Sequence, residues 1–453
     1  MNIALIIYLV VLVLIAVRSA RRVGDIPDFF VARKGASAKA VAGSLVATIL
    51  GGSAVIGAVD SGARLGGAAS WFMLTGALGL LALIPFASRA YSHGKYALPD
   101  LVESLYGNGP RLVASIVIPV AWTGIVAAQI IAAAKLLMTF TDLSYTAAAI
   151  ISAAVFTLYT LAGGQLSILR TDFMQACLII LGLLLVAGFA LFGGNAPTRS
   201  LSEILQTAPS FPFNANFSPL DLFLLILTYG TTYTAGPDIF SRMFCAKDVA
   251  TAKKAIGMAA VTLIPVAFVI GFLAVYGVSL ENVQGARITA IADNVLPSFL
   301  IPVIALALLS VVLSSADTTL LSSSVIISRL LGLGRTDSTD EKHPLAKARI
   351  IILLNGIVAL LLALVFTDII GTLLLALAVY AGAFTVPILW GLLGLKAKPK
   401  FVAAAIVAGG ILALAGKLCP PLPGTLGAHT GDILMIAAFI ANTACLAMGQ
   451  IKK

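Results

Sequence analysis

The sequence has few charged, histidine and cysteine residues. Lys, Arg, Asp and Glu make up 11% of its 453 residues, whereas hydrophobic residues make up 60%. So few charges, without any long polar stretch between the apolar runs, exclude a soluble domain and indicate an integral membrane protein of many spans. The four cysteines form no Cys-x-x-Cys pair and the three histidines are far apart. A zinc site, a disulfide framework and an enzyme active site are therefore not expected, and no catalytic residue is assigned.

The charges that are present have a clear sign, since the formal net charge is +10. Positive charge on cytoplasmic loops produces this balance, so no nucleic-acid partner is expected. The first apolar run lacks a preceding basic region and a small-residue cleavage site, and it is predicted to be a retained helix.

The apolar runs predict an all-α membrane fold with about thirteen transmembrane helices. Each run is long enough to cross a bilayer. The predicted spans are residues 3–17, 40–62, 69–88, 112–139, 146–161, 167–192, 219–244, 255–278, 296–331, two helices split around Asp368, 401–418 and 432–448.

The distribution of basic residues predicts the orientation of these spans. Arginine and lysine residues cluster after the first span, which places that loop in the cytoplasm and the N-terminus outside. With thirteen spans the C-terminus is then cytoplasmic, in a multi-pass protein of the plasma (inner) membrane. Of the 29 Lys and Arg residues, this partition places only five outside: Arg64, Lys135, Arg199, Arg287 and Lys417.

Two of the predicted spans contain helix-breaking residues. The second span is interrupted at Gly51-Gly52-Ser53 and the seventh at residues 229–237, YGTTYTAGP. Broken helices free backbone carbonyls, which is tolerated where they line a cavity; close helix packing through small residues is the alternative. After the second break, Asp238 and Arg242 have the i,i+4 spacing of a local ion pair.

The two breaks are five spans apart, which is the pattern of an inverted repeat. Substrate and coupling ions bind at such breaks near the middle of the membrane. The chain then divides into an N-terminal helix and loop (1–35), a first repeat (36–192), an extracellular loop (193–218), a second repeat (219–394) and two C-terminal helices (395–453).

Residues 309–324, LSVVLSSADTTLLSSS, place an acid and eight hydroxyls in an apolar span. A carboxylate in the middle of a membrane helix costs about 2.5–3.5 kcal/mol, so Asp317 is expected to face a partner or a water-filled path. Hydroxyl oxygens suit a small alkali cation. Hydroxyls also join helices in bilayers, which is the alternative interpretation.

Four motifs resemble the sodium:solute symporter family in their order along the chain. They are DFFVARKG (28–35), YTLAGGQLSILRTDFMQ (159–175), GPDIFSRMFCAKD (236–248) and LSSADTTLLSSS (313–324). In the first, Arg33 and Lys34 replace the glycine and arginine of the family pattern. The resemblance implies a LeuT-type five-plus-five inverted repeat, with one extra N-terminal and two extra C-terminal helices.

The resemblance also implies a sodium site between the second and ninth spans, with Na⁺ as the coupling ion. Its ligands would be backbone carbonyls of Ala47, Leu50 and Val311 and the hydroxyls of Ser314 and Ser315. Some members bind a second sodium at the positions of Asp172, Asp317 and Thr318. Because Asp317 is often a serine in the family, this second site is expected to be altered, strengthened by the acid or linked to a proton.

The solute is expected between the two breaks. The candidate lining residues are Gly52, Ser53, Trp122, Gln129, Thr232, Tyr233, Thr234 and Tyr380. Their hydroxyls and aromatic faces suit a small neutral or zwitterionic solute, with an amino acid such as proline ahead of a small carboxylate and a sugar third. The resulting hypothesis is sodium-coupled symport by alternating access, with the lipid bilayer, sodium and solute as partners and a monomer sufficient.

Two alternatives retain the same fold. A proton-coupled symporter would use Asp172 or Asp317 as a titrating carrier. A sensor of transporter fold would have no transport cycle.

Overall fold

The described part of the chain is helical. A computed structural model describes residues 2–21, 23–193, 203–204, 206, 208–280, 283, 285–333, 344–418 and 430–451; Arg199 and most of the first half of the predicted 193–218 loop lie outside these residues. Within the described residues there is no β-strand, only three isolated bridges.

The helices are numbered here in chain order. They are α1 Asn2–Ala20, α2 Ile26–Val31, α3 Ala38–Ile49, α4 Ser53–Asp60, α5 Gly62–His93, α6 Leu98–Tyr106, α7 Asn108–Phe140, α8 Tyr145–Phe192, α9 (219–235), α10 Pro237–Met243, α11 Val249–Gly277, α12 Arg287–Val295, α13 Ile301–Leu330, α14 Pro344–Val365, α15 Ile369–Leu392, α16 Pro399–Leu418 and α17 Thr430–Met448.

Many of these helices are long and apolar enough to cross a membrane. Nine qualify among the described residues, or ten when the bent pair α3 and α4 is taken as one span. The protein is therefore an integral membrane protein, as predicted from its composition. The number of thirteen spans stays a prediction.

Both predicted helix breaks are present. The axes of α3 and α4 differ by 54°, and Leu50 between them has a non-helical backbone (φ −75°, ψ 49°). The second break is at Gly236 (φ −74°, ψ 141°), and Pro237 follows in the first turn of α10, where a missing N–H costs nothing. The first segment therefore breaks next to Gly51-Gly52 and the second at Gly236-Pro237, as the helix-breaking residues of the sequence predicted.

Helix α13 is the buried axis of the fold. It packs against α3, α7 and α8, and every residue from Ser310 to Ile326 is buried. Its hydroxyls are tolerated in this interior because several donate to backbone carbonyls, as Thr319 does to Ser315 O at 2.7 Å. The serine-rich stretch of the sequence is thus placed in the centre of the molecule.

Helix α8 joins two predicted spans at Gly164. Its 48 residues would extend about 72 Å if straight, more than twice the roughly 30 Å of a bilayer core, so its length fits two crossings. Gly164 interrupts it with φ 53° and ψ −152°. A Cβ at this position would lie 2.7 Å from the carbonyl oxygen of Phe29 and 2.6 Å from its ring. Only glycine fits here.

Gly164→Ala is therefore expected to destabilise the protein by about 2–4 kcal/mol, through backbone strain and overpacking together. The measurement is the melting temperature of the purified protein in detergent. Gly188→Ala is the matched control, because Gly188 lies in the same helix and a Cβ there meets nothing within 4 Å. Equal melting temperatures for the two variants would contradict this account of Gly164.

The short helices α2, α6 and α12 were not predicted from the sequence. They have six, nine and nine residues, too few to span a membrane, and they were included in loops.

In α6, Asp100 accepts the N–H groups of Tyr96 and Ala97, at 3.0 and 3.1 Å. The same carboxylate lies 3.0 Å from a guanidinium nitrogen of Arg329, near the end of α13. This buried ion pair joins α6 to α13.

Candidate ion and solute site

The last turn of α3 contacts the middle of α13 directly. The Ser314 hydroxyl donates to the carbonyl of Ala47 at 2.9 Å, and the Ser315 hydroxyl donates to the carbonyl of Thr48 at 2.9 Å. Both serines are buried. Because the helix breaks after Ile49, carbonyls of its last turn lack intrahelical partners and are available to these hydroxyls.

The structure brings most of the predicted sodium ligands together. The Ser314 hydroxyl lies 3.4 Å from the carbonyl oxygen of Val311 as well as close to Ala47, and a Cβ on Gly51 would lie 2.6 Å from the Ser315 hydroxyl. Leu50 is fully buried at the break itself. This set consists of neutral oxygens, which suit a monovalent cation without a buried countercharge.

The three residues of the predicted second site surround a buried arginine. Arg242 is fully buried and donates to the hydroxyl of Thr318 and, at 3.2 Å, to that of Ser44. Ser44 in turn donates to Asp172, whose carboxylate lies 3.9 Å from the Arg242 guanidinium. Thr318 donates to Asp317 at 3.3 Å. A fixed cation of the protein therefore lies within this cluster.

This position of Arg242 differs from the local pair suggested by sequence spacing. Among the described residues its ion pair is with Asp172, 70 positions earlier, and not with Asp238. Asp238 lies in the first turn of the short helix α10, and the side chain of Arg242 turns toward α3 and α13 instead. One oxygen each of Asp172, Asp317 and Asp238 is buried without a hydrogen-bond partner in the described chain.

A cavity of about 40 Å³ lies between the two breaks. The predicted residues that line it are Ser53, Trp122, Gln129, Thr232 and Tyr233; Thr48, Gly51, Tyr229, Asp238, Ser315 and Thr319 also contribute to its wall. Its volume is that of about one water molecule, so a solute must displace side chains to enter.

Three predicted solute residues lie outside the cavity wall. Gly52 is adjacent, and its N–H donates to the side-chain oxygen of Gln129 at 3.3 Å. Tyr380 packs edge-to-face behind Trp122, with ring centroids 4.6 Å apart, and its hydroxyl donates to the carbonyl of Ala235. Thr234 faces away, since its hydroxyl donates to the carbonyl of Gly79 on α5 at 2.9 Å.

A larger vestibule of about 650 Å³ lies one helical turn beyond the small cavity. Ile56 and Ala132 line it, three residues after Ser53 and Gln129 of the cavity wall. Asp60 and Lys135 also line it. Two charged side chains in its wall make the vestibule more polar than the small cavity beyond it.

A family match of the sequence agrees with the site described above: two helix breaks, a buried pair of hydroxyls and a cavity between the breaks. Residues 29–401 match the sequence profile of the sodium:solute symporter family. The chain belongs to this family. It is therefore a sodium-coupled symporter of a small solute, and the expectations of sodium as the coupling ion and of no enzymatic activity are confirmed.

The relatives of this symporter include proline and choline transporters. It is 25% identical to the osmoregulated proline transporter OpuE of Bacillus subtilis, over 79% of this chain and 76% of that protein. It is 23% identical to the sodium/proline symporter of Salmonella typhimurium, over 92% and 87% of the two chains. Identity to the human high affinity choline transporter 1 is 26%, over 63% and 52%.

Solved structures confirm the LeuT-type fold of the symporter. A Na⁺-coupled sialic acid symporter in a substrate-bound outward-open state has a TM-score of 0.81 at 17% identity, over 100% of this chain and 98% of that one. Mhp1, a nucleobase-cation-symport-1 family transporter, has a TM-score of 0.60 at 14% identity, over 93% and 95%.

Four residues of the symporter's central site were not assigned from the sequence: Ser44, Thr48, Arg242 and Asp238. Thr48 differs from the predicted ligands by one position and offers the same carbonyl chemistry. Ser44 has no signal in the sequence, because isolated serines are common in membrane helices. Asp238 and Arg242 had a signal, two charges beside a helix break, but their i,i+4 spacing suggested that they neutralise each other.

Proposed function

We propose that the protein takes up a small zwitterionic amino acid, with proline as the first candidate, together with sodium by alternating access. The contact of Ser314 and Ser315 with the end of α3 supports this proposal, because it combines neutral oxygens from both repeats beside the solute cavity. Sodium entering there would replace hydroxyl–carbonyl bonds with ion–oxygen contacts, and would order the wall that Ser315 shares with the cavity.

The proposed ligands are the carbonyls of Ala47, Leu50 and Val311 and the hydroxyls of Ser314 and Ser315. We further propose that the second cluster holds no sodium, because Arg242 already supplies a positive charge between Asp172 and Thr318. One sodium then accompanies each solute. The membrane potential contributes about 2.3 kcal/mol per 100 mV for that charge.

The proposed arrangement in the membrane follows the basic residues. The N-terminus is outside, the C-terminus is cytoplasmic, and the protein lies in the plasma membrane as a functional monomer without a nucleic-acid partner. The two repeats, residues 36–192 and 219–394, rock against each other around the site, and residues 1–35 and 395–453 flank them.

In proteoliposomes, an inward sodium gradient is expected to drive accumulation of radiolabelled proline. The measurement compares NaCl outside with KCl outside, and a panel of unlabelled amino acids, carboxylates and sugars then competes for uptake. Equal uptake in both salts would contradict sodium coupling. If only carboxylates or sugars compete, the solute is not proline, but the conclusion that uptake is coupled to sodium is unaffected.

Proton coupling is the second candidate, because Asp172 and Asp317 each have a buried oxygen without a partner in the described chain. Uptake that follows a pH gradient and ignores sodium would favour it. Loss of that uptake in both Asp172→Asn and Asp317→Asn would then identify the carriers.

A further inference from the structure

We propose that Asp238 binds a positively charged nitrogen of the solute and thereby restricts the transporter to amines and zwitterions. This inference rests on the proposed solute site and restricts its substrates to compounds with a positively charged nitrogen. Asp238 lies two residues after the break at Gly236, is about 8% exposed, and lines the cavity between the two breaks.

The carboxylate of Asp238 is only partly satisfied within the protein, because its partners are the backbone N–H groups of Asp238 and Ile239 at the start of α10. Its Oδ1 atom is buried without a hydrogen bond, and no ion pair involves Asp238 within the described residues. The nearest cation along the chain, Arg242, donates to Ser44, Ser241 and Thr318. An ionised carboxylate with one buried oxygen left without a hydrogen bond is costly, so a cation from outside the protein is a natural complement to that oxygen.

The aromatic residues that line the cavity suit a cationic nitrogen. The rings of Tyr229 and Tyr233 meet edge-to-face with centroids 5.1 Å apart, and Trp122 also lines the cavity. Aromatic faces attract ammonium groups, and a neighbouring carboxylate adds the countercharge. The cavity lining, all within the described residues, includes this one acid and no lysine or arginine.

The same lining disfavours the other solute classes considered. A simple carboxylate would place its negative charge beside Asp238 without a basic residue to balance it. A sugar would leave the buried carboxylate without a cation. A compact zwitterion places its nitrogen at Asp238 and its carboxylate toward the neutral donors of Ser53 and Gln129.

The test measures melting temperatures of the purified full-length protein in detergent, in NaCl and in KCl. The probes are L-proline, pyrrolidine, and tetrahydrofuran-2-carboxylate, which keeps the ring and the carboxylate of proline but lacks the charged nitrogen. The variants are Asp238→Asn and Asp293→Asn; Asp293 is an exposed acid on α12 and serves as the matched control.

In NaCl, proline is expected to raise the melting temperature of the wild type and of Asp293→Asn. Tetrahydrofuran-2-carboxylate, the nitrogen-free acid, is not expected to raise the melting temperature of either protein. In Asp238→Asn the proline concentration for half-maximal stabilisation should rise about 10- to 100-fold, the loss of one charged hydrogen bond. Stabilisation by NaCl over KCl without solute should persist in this variant, which shows that it folds and retains its sodium site.

Three results overturn the inference: unchanged proline affinity in Asp238→Asn, stabilisation of the wild type only by the nitrogen-free acid, or no stabilisation by either nitrogen compound. Loss of the sodium effect alone in Asp238→Asn also overturns it, because the carboxylate would then bind a second sodium. Failure of the proposed sodium coupling is distinct, since NaCl would then not stabilise even the wild type relative to KCl.

Discussion

Replacing Ser314 or Ser315 by alanine is expected to raise the sodium concentration for half-maximal uptake by about tenfold or more, and replacing both is expected to abolish sodium-driven uptake. Each hydroxyl is one of five proposed oxygen ligands, and a lost polar contact to an ion costs about 1.5–3 kcal/mol. The measurement is initial uptake against sodium concentration in proteoliposomes.

Ser328→Ala is the matched control for this prediction. Ser328 lies on the same helix and is also buried, but its hydroxyl donates at 2.7 Å to the carbonyl of Ser324 within α13. Its removal should leave the sodium dependence unchanged. If Ser314→Ala and Ser328→Ala behave alike, the hydroxyls of α13 join helices and do not bind the ion.

Replacing Arg242 by leucine is expected to have the second large effect. The change leaves Asp172 and Asp317 buried without their cation, and breaking a buried charge cluster in this way costs about 3–5 kcal/mol. We expect a much lower melting temperature in KCl. Partial recovery in NaCl is expected, because sodium can occupy the space between Asp172 and Thr318, and the Hill coefficient for sodium should rise from about one toward two.

The conservative change Arg242→Lys is the control, since it keeps the positive charge and should not gain a second sodium. Adding Asp172→Asn to Arg242→Leu should recover stability in KCl, because it removes one of the two unbalanced acids. If the melting temperature of Arg242→Leu is as low in NaCl as in KCl, Arg242 does not take the place of a sodium ion.

Much of the fold could be predicted because membrane insertion leaves a strong signal. Apolar runs of about twenty residues must be helices in lipid, and glycine or proline within them must interrupt those helices. The breaks at Gly51-Gly52 and at Gly236-Pro237 were therefore visible in the sequence. The short helices α6 and α12 were not, since an amphipathic segment of nine residues resembles a loop when only spanning length is considered.

The candidate site was harder to predict because its contacts join distant residues. The run of hydroxyls predicted a cation site on α13, the family resemblance assigned Ser314 and Ser315 to it, and the structure places both serines against α3. The partners of Arg242 could not be inferred, because Ser44, Asp172 and Thr318 lie on three other helices. Local spacing suggested Asp238, and only the packing of α10 against α3 and α13 shows the different choice.

Helix α13 connects the hydroxyl of Ser314 in the centre of the protein to Arg329 near the end of the same helix. Ser314 and Arg329 are fifteen residues apart on it, about 22 Å along an uninterrupted axis. Arg329 is clamped to Asp100 of α6, and its guanidinium also lies 5.1 Å from the ring centre of Tyr96. A tilt of α13 that moves Ser314 away from Ala47 would therefore also act on the ion pair between Arg329 and Asp100, so under the proposed transport cycle the two ends of α13 move together.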